Sequence, residues 1–530
     1  MVLTIAKTPL SLFTVVSHGH DDAADALVKY VRLATGIILP LERDSKPNRH
    51  EIRLGSPADV CKRLRLDGIK NDGFVLKSAL GNLLIRSNTD MGVQNGVYEF
   101  LHRCLGWRFL TADVDYLTNP DAVVDIEDGF TYSFNPIYEY RKTDWVFAQN
   151  DEWKAKNHLN ADEFHWTHFV HTLADLAETH DYATQPCLSD EAVYEKVVAN
   201  VRKILDNDPD CKIISVSQND NCTYCKCEKC AATDAEEGSP AGTLLRFVNR
   251  VADEIRDDYP DVSIETLAYQ YTRKAPLITR PRDNVIVRLC SIECCFRHPL
   301  NDPSCEVNAA FKHDLIEWSK IAKRLYIWDY VTDFCNYVPP FPNWSVLKDN
   351  LAFFADHNAV GMYPEGNYQS QSGEFGELRA YLLARAMWEP YMSDEEYSAL
   401  RDDFLRGYYG KGWESVAKFI DFTLSQTTDR HMSIWVSPLD LISREVYVEY
   451  ESEIDSWWND ALAQANEAEK VRIDRSMMQW EAVKLYLHPN AEDGKKFFDK
   501  IHKYGVRLRE CGELSPEPDL STPPCDWIKF

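Results

Sequence analysis

KIISVSQND (212–220), then AGTLLRFVNRVADEI (241–255), then SIETLAY (263–269) is the stretch that decides the architecture. The first and third runs are short and β-branched, as strands are. Between them Leu244, Leu245, Phe247, Val248, Val251, Ala252 and Ile255 form the broad apolar stripe of an amphipathic helix. Strand, helix and strand in that order predict parallel strands joined by a crossover. The alternation extends outward on both sides. IYEYRK (137–142), NVIVRLCSIE (284–293), RLYIWDYV (324–331) and AVGMYPEG (359–366) read as further strands, with helices at 306–323, 344–357 and 376–388. Weaker strand signals lie near 163–171 and 432–437. Six to eight such units predict an α/β fold of the (β/α)8-barrel type, regular or distorted.

The flanks differ from this centre. Residues 1–132 read as a separate N-terminal α/β domain. Ala23, Ala24, Leu27, Val28 and Val31 share one helix face, and Gly36 is placed to end that helix. EIRLGS (51–56) and GNLLIRS (81–87) read as strands. MGVQNGVYEFLHRCLG (91–106) reads as a second helix closed by Gly106, with Trp107, Arg108 and Phe109 opening an exit strand. The barrel is expected over 133–390. Residues 391–530 read as a helical region, and LSPEPDLSTPPC (514–525) as a Pro-rich extended tail.

Composition narrows the function. At 530 residues the chain is long enough for two to four domains, and its 45% apolar content is that of a globular protein. Lys and Arg number 58 against 84 Asp and Glu, a net charge of −26. Such a chain repels phosphate backbones and anionic membranes, so neither nucleic acid nor a membrane is expected as a partner. No apolar run is long enough to span a bilayer. The first residues lack a basic segment followed by an apolar one, so the expected location is cytoplasmic, a removed leader being the other reading. The 15 Cys are an odd number and clustered, which favours free thiols or a metal site over a disulfide framework. Oligomeric state is not legible. There is no Gly-rich phosphate loop, G-x-S-x-G or H-E-x-x-H.

In a β/α barrel, chemistry sits at the carboxyl ends of the strands. The strand ends here carry Arg141, Lys142, Asp144 and Trp145; Gln218, Asn219 and Asp220; Tyr269 and Gln270; Glu293; Trp328, Asp329 and Tyr330; and Glu365 with Asn367. Carboxylates, amides and rings converging from separate strands suit a saccharide. Rings stack on sugar faces, amides and carboxylates bind hydroxyls, and two carboxyl groups can act across a glycosidic bond. Each residue has a plainer reading. Glu293 can be a structural ion pair with Arg288 or Arg297. Asp220 can cap a loop, Glu365 can belong to a turn, and Trp145, Trp328 and Tyr330 can be core. His165, His168 and His171 suit neither one strand face nor a good metal spacing, and read as surface or substrate contacts. CTYCKCEKC places Cys222, Cys225, Cys227 and Cys230 within nine residues. These four can hold a structural zinc, stay as free thiols, or form disulfides. No cofactor is required otherwise.

ISVSQNDNCTYCKCEKC (214–230), ETLAYQYTRKAP, VIVRLCSIECCFRHPL, LYIWDYVTDF and EGNYQSQSGEFGELRAYLLARAMW resemble, in order, the domain-of-unknown-function 4838 proteins, a group that includes glycoside hydrolase family 163. NGVYEFLHRCLGWRFL, within 15–115, is similar to the small domain preceding the barrel in family 20 hexosaminidases and α-glucuronidases. The chain departs from the family pattern at Pro364, where an acidic residue often precedes the Gly of GNY. It also lacks the Asp-Glu pair of family 20. The resemblance implies a glycosidase. The leading expectation is a retaining, substrate-assisted hydrolase of a β-linked N-acetylhexosaminide. Glu293 would be its acid, Asp329 or Asp220 would orient the acetamido group, and Tyr269, Trp328 and Tyr330 would shape the subsite. The alternatives are an inverting α-glucuronidase-like hydrolase, with Asp329 and Glu365 activating water and Arg141, Lys142 or Arg288 holding the uronate, and a carbohydrate-binding protein without catalysis.

Overall fold

The computed structural model describes residues 1–44, 48–55 and 66–529. Its centre is one parallel sheet of seven strands: β1 (Tyr140–Arg141), β2 (Trp166–Thr167), β3 (Ile213–Ser215), β4 (Ser263–Ala268), β5 (Val285–Cys290), β6 (Leu325–Tyr330) and β7 (Ala359–Glu365). The order across the sheet is β1-β7-β6-β5-β4-β3-β2. The first strand lies beside the last, so the sheet curls toward itself. Its ladder stops at β1 on one edge and β2 on the other. Rings bridge that seam: Tyr140 lies 5.8 Å from Trp166 and 5.5 Å from Phe164.

Among the described residues the sheet has no eighth strand. Residues 432–437 are irregular, because the carbonyls of Met432 and Ile434 accept hydrogen bonds from the Phe296 and Phe334 amides in the loops after β5 and β6. The crossovers Glu191–Asn207, Ala241–Ile255, Glu306–Ile321 and Leu347–Asp356 are α-helices, as the apolar periodicity requires. The connection from β4 to β5 is the exception, with only a 3-10 turn at Gln270–Thr272. The chain beyond it is pinned by buried Glu237, which accepts from the Ile278 and Thr279 amides and from Arg246.

Strand alternation sorts the side chains. Register pairs Tyr326 with Gly361, Trp328 with Tyr363, and Tyr330 with Glu365, all facing the inside of the curl. Gly361 leaves room for the ring opposite, since a Cβ there would meet Tyr326 at 2.5 Å. Below the open end, Arg288 pairs with Glu265 at 3.3 Å, and its guanidinium lies 4.3, 4.6 and 5.3 Å from the Trp166, Phe169 and Trp328 rings. A buried cation under three rings fixes the floor on which Phe169 and Trp328 stand.

The N-terminal part holds a six-stranded mixed sheet and two helices, Asp21–Thr35 and Asp90–Leu105. Gly36 and Gly106 close them with φ of 76° and 80°, the left-handed cap favoured by glycine. The expected strands are present at Glu51–Leu54 and Asn82–Arg86; Ser56, the last residue of the first expected run, lies outside the described residues. The C-terminal region is mainly helical from Asp394 to Tyr504, interrupted by the irregular segment 427–437. The Pro-rich end is not an extended tail. Glu513–Leu514 pairs with Ile528–Lys529, and Trp527 is fully buried among Phe497, Ile501 and Met478. Burying that indole outweighs the extended preference of the prolines.

Candidate functional site

The carboxyl ends of the strands open into a cavity of about 630 Å³. Its apolar walls are rings: Phe169, Tyr269, Trp328, Tyr330, Tyr363 and Trp435. Trp435, half exposed, comes from the irregular 432–437 segment. Five carboxyl groups face the same space, those of Asp144, Asp220, Glu293, Glu365 and Glu510, against one lysine, Lys142.

Glu365 ends β7 and is 7% exposed. The Trp328 indole N–H donates to its Oε2 at 2.8 Å. Burial, reinforced by the nearby charges of Glu510 and Asp144, pushes its pKa up to about 8, although the indole bond opposes the shift. That shift favours the protonated acid near neutral pH, and the residue lines the open cavity. Asp144 bridges to Glu365 in parallel register just beyond β1. Its carboxylate accepts from the Tyr363 hydroxyl at 2.6 Å and from Gln149, and pairs with Lys142 at 3.3 Å. Lys142 itself sits over the Phe169 and Tyr363 rings.

Asp220, beyond β3, accepts from the Tyr269 hydroxyl at 3.0 Å and from Gln270. His171 gives its Nδ1–H to the Gln218 carbonyl at 2.7 Å. Glu293 also reaches the cavity, but in a different setting from the apolar one expected. Its side chain is 40% exposed and ion-paired to Arg273 at 3.1 Å, not to Arg288 or Arg297. Glu510 enters from the C-terminal region and accepts from Tyr368.

Other expected site residues do not line the cavity. Asp329 lies between Trp328 and Tyr330 on β6, so alternation turns it to the opposite face, where the Ser291 hydroxyl donates to it. Its burial there raises its pKa to about 6. Arg141 is fully buried; it pairs with Asp72 of the N-terminal part and donates to the His158 carbonyl. Trp145 fills the space left by Gly366 and Gly376, where a Cβ would meet its ring at 2.4 and 2.9 Å. Asn219 ties the Ala174 amide and the Thr184 carbonyl, and Asn367 ties Thr332 and Tyr337. Of the four expected thiols, Cys222 stands apart, donating to Gln270 Oε1, while Cys187 joins Cys225, Cys227 and Cys230.

Tyr363, Phe169, Phe334, Trp435, Tyr368 and Glu510 are among the cavity residues the sequence reading missed. Tyr363 was accessible, because it stands two positions before Glu365 on one strand and so shares its face. Glu510 had no local signal.

A curled parallel β/α sheet, with a buried acid and further carboxylates in a ring-lined cavity over its carboxyl ends, defines the class of this molecule. Within that class the chain belongs to the family described as a domain of unknown function, DUF4838, whose model matches residues 115–421. Among solved structures it is similar to a GH138 enzyme targeting pectin rhamnogalacturonan II, at 9% identity over 93% of this chain and 91% of that one, with a TM-score of 0.47. It is also similar to CpGH84B, at 10% identity over 94% of each chain, with a TM-score of 0.48. No curated protein matches the chain. Among the described residues no helix is long and apolar enough to cross a membrane.

Proposed function

We propose that the protein is a glycoside hydrolase in which Glu365 is the general acid. The observation that carries this is the Glu365 carboxyl itself, buried against the Trp328 indole, with its pKa pushed up to about 8 by that burial, yet facing a cavity of saccharide size. A carboxyl that keeps its proton at neutral pH is suited to protonate a departing glycosidic oxygen. As the bond breaks, positive charge grows at the anomeric carbon. Asp144, fixed by Tyr363 and Lys142, is positioned to stabilise it. Trp435 and Tyr330 offer faces for sugar rings.

The charge of the cavity favours a neutral sugar over a uronate. Arg141 and Arg288 lie outside it, and Lys142 is already paired with Asp144. Within this reading the substrate is a β-linked N-acetylhexosaminide, cleaved with retention by attack of its own 2-acetamido oxygen. Asp220, steadied by Tyr269, is the residue to receive the amide N–H in place of Asp329. Proton NMR of the first-formed product distinguishes retention from inversion.

The test is hydrolysis of a panel of aryl glycosides and N-glycans by the wild type and by Glu365→Gln. The expected loss on the best substrate is about 10²–10⁴-fold in kcat. Equal turnover by the variant removes Glu365 from the role. Glycan binding with no cleavage of any panel member by the wild type replaces the hydrolase with a binding protein.

A further inference from the structure

We propose that Cys187, Cys225, Cys227 and Cys230 bind one zinc ion as a closed four-thiolate site that fixes the loop carrying Asp220. The four sulfur atoms lie within 4.8 Å of one another. Cys187 Sγ stands 3.8 Å from Cys227 Sγ and 3.9 Å from Cys230 Sγ. Zinc–thiolate bonds of about 2.3 Å in a tetrahedron set sulfur atoms roughly 3.8 Å apart, whereas a disulfide brings them to about 2.05 Å. The separations match the first arrangement and not the second.

The fourth ligand comes from a distant loop. The Gln185 amide donates to the Thr223 carbonyl, and its side chain donates to the Asn219 and Asn221 carbonyls while accepting from the Asn219 amide. That clamp brings Cys187 to the CTYCKCEKC turn and leaves Cys222 outside, beside Gln270. Cys227 is the N-cap residue of the helix Glu228–Glu237 and Cys230 lies in its first turn, so both sulfurs belong to the helix end whose dipole favours negative charge. The Ser189 hydroxyl lies 3.1 Å from Cys230 Sγ and 3.4 Å from Cys227 Sγ, within reach to donate its one hydrogen to either thiolate. With four protein sulfurs there is no open coordination position, so the ion is structural. On binding, four Zn–S bonds form as the thiol protons leave for solvent, with no change of oxidation state. Asn219 and Asp220 emerge from β3 into the braced segment, so the ion acts on the cavity by positioning.

The experiment is metal analysis by mass spectrometry of the full chain, purified under reducing conditions without chelator and then given zinc and desalted. One zinc per chain is expected. Cys187→Ser should fall to a small fraction of that, and Cys222→Ser should retain it. X-ray absorption of the wild type should show four sulfur neighbours, a readout that stands even where Cys187→Ser fails to fold. Absence of stoichiometric zinc, retention of zinc by Cys187→Ser with loss by Cys222→Ser, or a shell with fewer than four sulfurs overturns the proposal.

Discussion

The Glu365 proton has a cost to the fold as well as a use. The ordinary glutamate value is 4.5, and burial lifts this group to about 8. Between those values the unfolded chain gives up the proton and the folded chain keeps it. Stability contributed by this group is therefore complete below about pH 4.5 and is lost as pH rises to about 8. Glu365→Gln removes the titration. Thermal or urea unfolding should show the variant gaining on the wild type as pH rises from 5 to 8, by an order of a few kcal/mol at the upper end, since each unit is worth about 1.4 kcal/mol. A gap that does not widen with pH contradicts a protonated Glu365. The residue scale is also where reading from sequence had most to gain. Placing both Trp328 and Tyr330 in a site already commits Asp329 to the other face, by the two-residue period of a strand. The burial of Arg141, Asn219 and Asn367 had no such local signature, because the partners that claim them lie up to 69 residues away.

At the scale of elements, the β4-to-β5 connection bears the most unusual load. Where the other crossovers have a helix, it has Glu237 gathering two amides, the Thr279 hydroxyl and Arg246. Against the effect of burial, these bonds hold the carboxylate at about 2. A depressed carboxylate contributes stability that is present above about pH 4.5 and is lost as pH falls toward 2. Glu237→Gln should cost roughly 1–3 kcal/mol at pH 7 and much less at pH 3, measured by denaturant unfolding at the two values. An equal loss at both would show that the charge is immaterial. The crossover helices were readable from their apolar stripes, and the two helices of the N-terminal part also from their caps at Gly36 and Gly106. The strands were readable as β-branched runs, one residue too long at Ser263–Ala268 and six too long at Ile213–Ser215. The missing crossover helix was not readable, since one carboxylate 41 residues before Ile278 replaces it. The seven-strand count was hidden for a similar reason: the 432–437 run has strand-like residues, but its carbonyls are taken by loops.

For the whole molecule, the joint between the N-terminal sheet and the curled sheet is polar and buried. Arg141 meets Asp72, and Glu99 meets His158 and Arg385 while His158 stacks on Trp388 at 4.1 Å. Arg141→Met leaves Asp72 without its main partner and should destabilise the protein by about 3–5 kcal/mol. Because Arg141 lies outside the cavity, kcat and KM of the molecules that remain folded should hold at wild-type values. A selective rise in KM would put the guanidinium on substrate after all. Long-range closure of this kind is the part of the molecule least visible in sequence, and Cys187 and Glu510 share it. Glu510 reaches the cavity because the Leu508 carbonyl and the Glu510 amide bond to Tyr337 and Phe334, with Trp527 anchoring the segment behind. During translation, then, the pocket stays a side short until Glu510 has been added and its anchor has cleared the ribosome; any nascent or prematurely terminated product ending earlier is left with an unfinished wall.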